Sequence, residues 1–294
     1  MEWQQLVGFY QVAKLGSFTK AGEATFRTQS ALSQQIKALE KELGCDLLER
    51  VGKKKLRLTT AGETFFRFCA KVLADYQHLQ EEINAIKGLE KGHLRLAAPF
   101  TTLYHLLQDL LPAYIRKFPQ VQLSILDRSQ ERVMDLVKAG DIDFGLGLES
   151  AAPKDLVTRR WLQLEKMLLV PLDHPLAVSP RVTLEEIVRY PLILPPASLK
   201  FTGRKTLEEH FQQLGLEYHI IMESSNVELS SLYVEMGIGI SFATVASDLP
   251  LPEKRKLAFL PLSHYFPPDY LAVIMRKDKV LAPYKEAFLE MLFG

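Results

Sequence analysis

The sequence predicts an α/β protein that carries a separate all-helical domain at its N-terminus. Apolar residues recur at spacings of three and four over residues 1–60, which is the periodicity of amphipathic helices. From residue 92 onward, short apolar runs alternate with helical stretches, which is the element order of an α/β domain. The chain has 294 residues, 47% of them hydrophobic, and this length suits about two domains of roughly 150 residues each.

The composition excludes several classes of protein. There are 36 Lys and Arg residues against 35 Asp and Glu, which gives a formal net charge of +1. Cys45 and Cys69 are the two cysteines, so there is no disulfide framework and no paired-cysteine zinc motif. The N-terminus lacks the basic start and apolar stretch of a signal peptide, and no run approaches the ~18 apolar residues of a membrane span. We therefore expect a cytoplasmic protein without a membrane segment, a metal ion or another cofactor.

Three helices are predicted within residues 1–60. The first ends at Gly16, and Ser17 is the expected N-cap of a short second helix. Thr28 is the expected N-cap of a longer third helix, which ends at Gly44. The inward faces of the first and third helices comprise Leu6, Phe9, Tyr10, Ala13, Ala31, Leu32, Ile36, Leu39 and Leu43.

A basic hairpin is predicted to follow the three helices. Residues 1–60 carry ten basic side chains against six acidic ones, and half of the basic ones lie between Arg50 and Arg57. The short apolar pieces 47–48 and 56–58 flank this stretch as the two strands would. A charge run alone is more often a solvated loop, and taken by itself this one would be interpreted so. Together with three helices and a tight turn, it favours a winged helix-turn-helix, which places its third helix in the major groove of double-stranded DNA.

The polar residues of the third helix are concentrated at its N-terminal end. Amides and hydroxyls there can exchange hydrogen bonds with base edges, and a helix N-terminus attracts phosphate. The alternative is that these side chains only solvate an exposed helix. Since the basic hairpin and the helical spacing agree with the first interpretation, the candidate DNA-binding residues are Gln29, Ser30, Ser33, Gln34, Arg50, Lys53, Lys54 and Lys55.

Residues 61–91 form the predicted linker helix. Its apolar positions alternate at spacings of four and three, as in a coiled-coil seam: Phe65, Cys69, Val72, Tyr76, Leu79, Ile83 and Ile86. Such a seam could instead pack on the protein's own core, the commoner outcome for a helix of this length. Because residues 88–92 end the segment without offering a neighbouring helix, we interpret it as a dimer contact through Val72, Tyr76, Leu79 and Ile83. Cys69 is interpreted as a small core residue.

Residues 92–294 are predicted to form two doubly wound α/β lobes with mainly parallel strands and helices on both faces. The first series is strand 94–98, helix 103–118, strand 121–126, helix 131–138 and strand 142–148. The second series comprises the segments 167–171, 184–189, 191–194, 207–214, 218–222, 227–236 and 238–242. Strand 270–275 and helix 282–292 are then expected to return to the first lobe. The chain is expected to cross between the lobes near Arg160 and Leu262. Lobe I then comprises residues 92–161 and 266–294, and lobe II comprises residues 162–265.

A cleft between these lobes is the predicted ligand site, because such sheets bind ligands beyond the carboxyl ends of their strands. Hydroxyl groups and free N–H groups at helix starts suit an anion, although each such residue could be a plain N-cap. The candidates are Thr101, Thr102, Ser129, Leu148, Thr202, Gly203, Asn226 and Thr244. No phosphate-binding loop and no nucleophile elbow is present. We therefore expect a regulator that binds its ligand unchanged; the alternative, an enzyme with an accessory DNA-binding domain, would consume it.

The first sixty residues resemble the LysR-type transcriptional regulators. The matching stretches are Phe9-x-x-Val12-Ala13-x-x-Gly16-Ser17-Phe18-Thr19-x-Ala21, Gln29-Ser30-Ala31-Leu32-Ser33-x-Gln35-Ile36-x-x-Leu39-Glu40-x-x-Leu43-Gly44, Leu47-Leu48-x-Arg50, and Leu58-Thr59-x-Ala61-Gly62. Gly22, Phe26 and Leu48 depart from the family's usual Ala, Leu and Phe. The resemblance implies DNA contacts by Gln29, Ser33, Gln34, Arg50 and Lys53, a dimerising linker helix, and an effector domain similar to periplasmic solute-binding proteins.

The resemblance also bears on partners and ligand. It implies a homodimer that commonly assembles further into a tetramer through its effector domains. Contact with RNA polymerase leaves no motif in the sequence, so activation and repression both stay open. Phe201-Thr202-Gly203-Arg204 resembles the family's sulfur-regulon branch, whose members respond to sulfate or acetylserine; Pro99 and Leu148 depart from that branch. We expect a sequence-specific transcription regulator controlled by a small, anionic effector bound between the lobes.

Overall fold

The computed structural model describes residues 1–51, 55–87, 91–200, 203–246 and 255–294. The chain divides into two compact units, Met1–Leu89 and Glu90–Gly294. The elements of the first unit are α1 (Trp3–Leu15), α2 (Phe18–Thr25), α3 (Gln29–Leu43), β1 (Leu48–Val51), β2 (Lys55–Leu58) and α4 (Thr60–Ile86). Strands β1 and β2 pair antiparallel, which confirms the predicted hairpin.

The helix ends lie where the capping residues predict them. The hydroxyl of Ser17 accepts from the Lys20 N–H at 3.4 Å, and that of Thr28 accepts from the Ala31 N–H at 3.2 Å. Gly16 and Gly44 end α1 and α3 in the left-handed conformation. These local signals are sufficient to separate α1, α2 and α3.

The core of the first unit includes the beginning of α4, contrary to one expectation from the sequence. Cys69 is fully buried in this core, and Phe65 and Val72 pack against it. Val72, which was expected to face a partner protomer, is half-buried and contacts the protein's own core. Burial raises the pKa of the Cys69 thiol to about 12, so this cysteine is the core residue that the sequence indicated.

The second unit contains seven α-helices and nine strands within its described residues. The helices are α5 (Phe100–Leu106), α6 (Leu110–Lys117), α7 (Gln130–Ala139), α8 (Leu184–Ile187), α9 (Arg204–Gln213), α10 (Val227–Glu235) and α11 (Pro283–Phe293). The strands are β3 (Gly92–Ala98), β4 (Val121–Asp127), β5 (Phe144–Leu148), β6 (Leu156–Pro171), β7 (Leu192–Leu194), β8 (Ile220–Glu223), β9 (Ile240–Ala246), β10 (Leu257–Pro261) and β11 (Asp269–Arg276).

One mixed sheet runs through both lobes in the order β4-β3-β5-β11-β6-β9-β7-β8, and β10 also pairs with β6. Strands β3, β4 and β5 are parallel, as are β7, β8 and β9, whereas β6 and β11 run antiparallel to their neighbours. The prediction of a mainly parallel sheet therefore holds within each lobe and is wrong at the centre. Apolar clusters cover both faces of the sheet in each lobe.

Two elements differ from the sequence prediction. The single helix expected over 103–118 is two helices, because Pro112 in the first turn of α6 lacks the N–H that a continuous helix would donate to Gln108. The crossover expected near Arg160 takes the form of the long strand β6, which passes from lobe I to lobe II. Strand β10 was not predicted at all. The return of β11 and α11 to lobe I is confirmed, since β11 pairs with β5 and Phe288 of α11 packs in the lobe I core.

No helix in the described ranges is long and apolar enough to cross a membrane.

Candidate nucleic-acid interface and ligand cleft

The N-terminal end of α3 presents a polar surface. Gln29, Ser30 and Gln34 are exposed and Ser33 is half-buried, whereas Leu32 on the opposite face is fully buried. The structure thus brings the four predicted residues of this helix to one exposed end. Amide and hydroxyl groups in that place can donate and accept hydrogen bonds at the edges of bases.

A half-buried brace holds this surface. The guanidinium of Arg27 donates to the side-chain oxygen of Gln35 at 2.9 Å and to the backbone oxygen of Gln4 at 3.3 Å, so it joins α1, α3 and the turn before α3. A Cβ at Gly22 would lie 2.6 Å from the Arg27 carbonyl oxygen. The tight turn therefore requires glycine at position 22, which explains one of the departures from the family pattern.

The hairpin of β1 and β2 is fixed to α3 by one carboxylate. Oε1 of Glu40 accepts from the N–H groups of Leu47 and Leu48 at 2.8 and 3.1 Å. Sequence reasoning did not identify this contact. Of the basic residues predicted to contact DNA, Lys53 and Lys54 lie outside the described residues, as do the side chains of Arg50 and Lys55. The backbones of Arg50 and Lys55 lie in β1 and β2.

The second half of α4 leaves apolar side chains at the surface. Tyr76 is 46% exposed, Leu79 49%, Ile83 40% and Ile86 86%. The ring of Tyr76 packs against Trp3 of α1, with 4.7 Å between ring centroids. Three of the four predicted dimer contacts, Tyr76, Leu79 and Ile83, are therefore accessible in the single chain.

A cleft of about 630 Å³ opens between lobe I and lobe II. A volume of this size is typical of small-molecule sites. Six of the eight predicted cleft residues line it: Thr101, Thr102, Ser129, Leu148, Gly203 and Thr244. Thr202 lies outside the described residues.

Asn226 lies at the edge of the cleft between two lining residues, Ser225 and Val227, and its role is the plain capping that the sequence left open. Its side-chain oxygen accepts from the N–H groups of Glu228 and Leu229 at 2.8 and 3.3 Å, and the described lining of the cleft does not include it. Ser129 combines both roles, because its hydroxyl caps α7 by accepting from the Arg132 N–H and also lines the cleft.

Lys166 is the functional candidate that sequence reasoning missed. It lies on β6 opposite Thr244 of β9, and its Nζ donates to the Thr244 hydroxyl at 3.3 Å. Burial lowers the pKa of the Lys166 ammonium below its ordinary value, although the charge of Asp269 opposes this effect. A signal existed in the sequence: Leu164, Lys166 and Leu168 alternate along one strand face, and a lysine interrupts an otherwise buried row.

Two side-chain contacts connect the lobes across the cleft. His105 Nε2 of α5 and Glu228 Oε1 of α10 lie 2.6 Å apart, and Arg255 donates to the other oxygen of Glu228 at 3.0 Å. Lys200 Nζ lies 3.0 Å from Glu131 Oε1. Both pairs join a residue of lobe I to a residue of lobe II, so they stabilise the lobe arrangement seen here.

The amide of Gln130 is buried in the wall of the cleft. Its Oε1 accepts from the Leu148 N–H at 3.2 Å, and its Nε2 has no hydrogen-bond partner in the described part of the chain. A buried donor without a partner is uncommon in native structures. Elsewhere, the described residues contain no group of three His, Cys, Asp or Glu side chains that could hold a metal ion.

Comparisons with known families account for both units. Residues 3–63 match the family described as a bacterial regulatory helix-turn-helix protein of the lysR family. Residues 87–293 match the family described as the LysR substrate binding domain. The first match covers α1 to the start of α4, and the second covers both lobes and the cleft.

Individual relatives match along nearly the whole chain. The HTH-type transcriptional regulator CysB of Burkholderia cenocepacia is 29% identical over 94% of this chain and 88% of the relative. The HTH-type transcriptional activator CmpR of Synechocystis sp. is 30% identical over 97% of this chain and 93% of the relative. The structure of a full-length OxyR variant from Pseudomonas aeruginosa superposes with a TM-score of 0.71 at 25% identity, over 99% of this chain and 96% of OxyR.

Proposed function

Because this chain belongs to the LysR family of transcription regulators, with a DNA-binding domain and an effector-binding domain, we propose that α3 reads its operator in the major groove while the β1–β2 hairpin contacts the DNA backbone. The observation that carries the proposal is the exposed polar end of α3. Gln29 and Gln34 are exposed there, and the brace from Arg27 fixes the helix that carries them. A fixed helix favours base readout, since hydrogen bonds to base edges depend on geometry.

The experiment separates base readout from backbone contact. An operator is first selected from random duplexes with the wild-type protein, and binding is then titrated on that operator and on a random duplex. Gln29→Ala should weaken operator binding by about 1–3 kcal/mol and relax one base position. Replacing Lys53, Lys54 and Lys55 by Gln should weaken binding to both duplexes and flatten its salt dependence.

Lys41→Gln is the matched control, because it removes an exposed lysine from the far end of α3. It should leave the preference for the operator unchanged. If Gln29→Ala and the triple lysine variant lose the same affinity on both duplexes, this division of roles is wrong.

We also infer that the regulator acts as a dimer joined through the exposed half of α4, with Tyr76, Leu79 and Ile83 in the contact. A symmetric dimer requires a pseudo-palindromic operator with half-sites about one turn of 10–10.5 base pairs apart, or a multiple of it. Assembly into a tetramer through the effector domains and contact with RNA polymerase are further proposals that the family membership supports. A transcription regulator acts on the chromosome, so we place the chain in the cytoplasm.

For the cleft, we propose that a small anion binds between the lobes and is released unchanged. Thr101, Thr102 and Thr244 supply hydroxyl donors to its lining, and Lys166 supplies a positive charge. A ligand can shift the equilibrium between regulator states only by its differential affinity for them. Binding must therefore alter DNA affinity or bending as well. Quantitative recovery of the ligand after incubation separates this proposal from the enzyme alternative, in which the ligand would be consumed.

A further inference from the structure

The cleft is too large for an inorganic anion alone. Its volume is about 630 Å³, whereas one water molecule occupies about 30 Å³ in the liquid. A tetrahedral oxyanion is only a few times larger than water, so it would leave most of the cleft to solvent. Sites of several hundred Å³ instead bury organic ligands of many atoms.

The basic side chains that line the cleft lie beside carboxylates, with one exception among the described residues. The basic groups with a carboxylate partner are Lys200 with Glu131, Arg204 with Glu208 and Glu223, and His105 and Arg255 with Glu228. Within the described ranges, Lys166 has no carboxylate oxygen within 4.0 Å, and its one hydrogen bond is to the neutral hydroxyl of Thr244. Asp109 also lines the cleft, and it is exposed to solvent.

The position of Lys166 suits a charged ligand group. A Cβ at Gly203 would lie 2.7 Å from Lys166 Nζ, so the absence of a side chain at residue 203 gives the ammonium its place. The ammonium can donate three hydrogen bonds and uses one of them on Thr244. Its partial burial disfavours the charged form more than the nearby charge of Asp269 favours it, and an anion beside the ammonium would reduce that cost.

The rest of the lining is mainly apolar. Leu164 and Leu194 line the cleft beside a group of aromatic and aliphatic side chains from lobe II and the sheet, namely Phe242, Phe259, Phe266 and Val227. In the opposite wall, the Gln130 Nε2 donor lacks a partner within the described residues. The cleft thus combines one unpaired positive charge, an apolar surface and a spare hydrogen-bond donor.

We propose that the effector is an organic monoanion with an apolar body, whose charged group binds Lys166 Nζ and whose body lies against the apolar lining of lobe II. This inference rests on the proposed function of the cleft and names the chemical class of its ligand. Lys166 is then the residue that selects anions over neutral molecules of the same shape. The apolar lining selects organic anions over inorganic ones, since apolar burial contributes about 25 cal/mol per Å².

The test is a thermal-shift panel on the full chain, followed by calorimetric titration of each ligand that stabilises it. The organic monoanions are benzoate, phenylacetate, hexanoate and octanoate. Benzamide and phenylacetamide are their neutral counterparts, and sulfate and phosphate are the inorganic anions. We expect saturable binding of at least one organic monoanion, with the amides, sulfate and phosphate at least tenfold weaker.

Variants at Lys166 then test the contact itself. Lys166→Met should weaken the organic anion by about 30-fold or more, the effect of truncating one partner of a desolvated charge pair. Lys166→Arg should retain part of the affinity because it keeps the charge. Lys277→Met is the matched control, since it removes an exposed lysine of the same unit, and it should bind as the wild type does. If Lys166→Met does not fold by circular dichroism, Lys166→Gln replaces it.

Three results would overturn the inference: binding to the Lys166 variant within threefold of wild type, a saturable preference for sulfate or for the neutral amides, or no saturable binding of any organic monoanion in the panel. None of these three results depends on DNA binding, which is measured separately. Lys166→Met without probe should still prefer the operator to a random duplex as strongly as the wild type, whereas a failure of the proposed regulator function would appear as loss of that preference in the wild type itself.

Discussion

Replacing the exposed apolar residues of α4 should disrupt the proposed dimer by an amount that the structure allows us to estimate. Leu79 is 49% exposed and Ile83 is 40% exposed in the single chain. Full burial of such a side chain contributes about 1.5–3 kcal/mol, so covering the exposed part contributes about 0.7–1.4 kcal/mol per residue. Two residues on each of two protomers give about 3–5 kcal/mol, which corresponds to a dimer dissociation constant raised roughly a hundredfold to several thousandfold.

The variant Leu79→Ala/Ile83→Ala tests this estimate by sedimentation equilibrium over a wide range of protein concentrations. Folding should be nearly unaffected, because both side chains lie away from the core formed around Cys69. Lys71→Ala is the control: it truncates an exposed residue of the same helix outside the apolar seam, and its dimer should dissociate as the wild type does. A double variant that dimerises within threefold of wild type would show that the protomers associate through another surface.

Two further predictions concern stability. Because burial lowers the pKa of Lys166 below its ordinary 10.5, the unfolded chain binds more protons between the two values, so the free energy of unfolding should rise with pH across that window. Lys166→Met should lose this rise and be more stable than the ligand-free wild type at neutral pH in urea titrations; equal stability at every pH would contradict the burial argument. Gly62→Ala should destabilise the first unit by about 1–3 kcal/mol in thermal unfolding, since its Cβ would overlap the carbonyl oxygen of Leu47. Helix propensity alone predicts a gain of about 1 kcal/mol for this substitution. The sign of the change in stability therefore shows whether steric overlap or helix propensity dominates at this position.

The parts of the fold that the sequence predicted correctly depend on local chemistry. Ser17 and Thr28 begin α2 and α3 because a hydroxyl before a helix can accept from a backbone N–H within three residues. The role of α4 was harder to predict, because spacings of three and four serve a partner helix and the protein's own core equally well. Phe65 and Val72 pack internally, whereas Leu79 does not, because the core of the first unit extends along only the first half of α4.

The candidate site also combines residues that the sequence predicted with residues that it did not. Ser129 and Asn226 have the same local pattern, a capping residue before a helix, yet one lines the cleft and the other does not. The two residues beside Asn226, Ser225 and Val227, do line the cleft, so the difference is one of side-chain direction, which no local pattern records. Lys166 was predictable in principle, because strand alternation placed it on a buried row. The inter-lobe pair of His105 and Glu228 was not, because its two residues are 123 positions apart in the sequence.

Strand β6 determines how the lobes can move. It passes from lobe I to lobe II as one strand, paired with β11 along its first part and with β9 and β10 along its second. A loop at this point could bend with little resistance, but a continuous strand that is paired with β11 up to Leu164 and with β9 from Leu164 onward resists bending. Relative motion of the lobes should therefore be a torsion of small amplitude, accommodated where the register of β11 shifts between Leu271 and Ala272. A signal from the cleft would then leave this domain as a rotation of one lobe against the other.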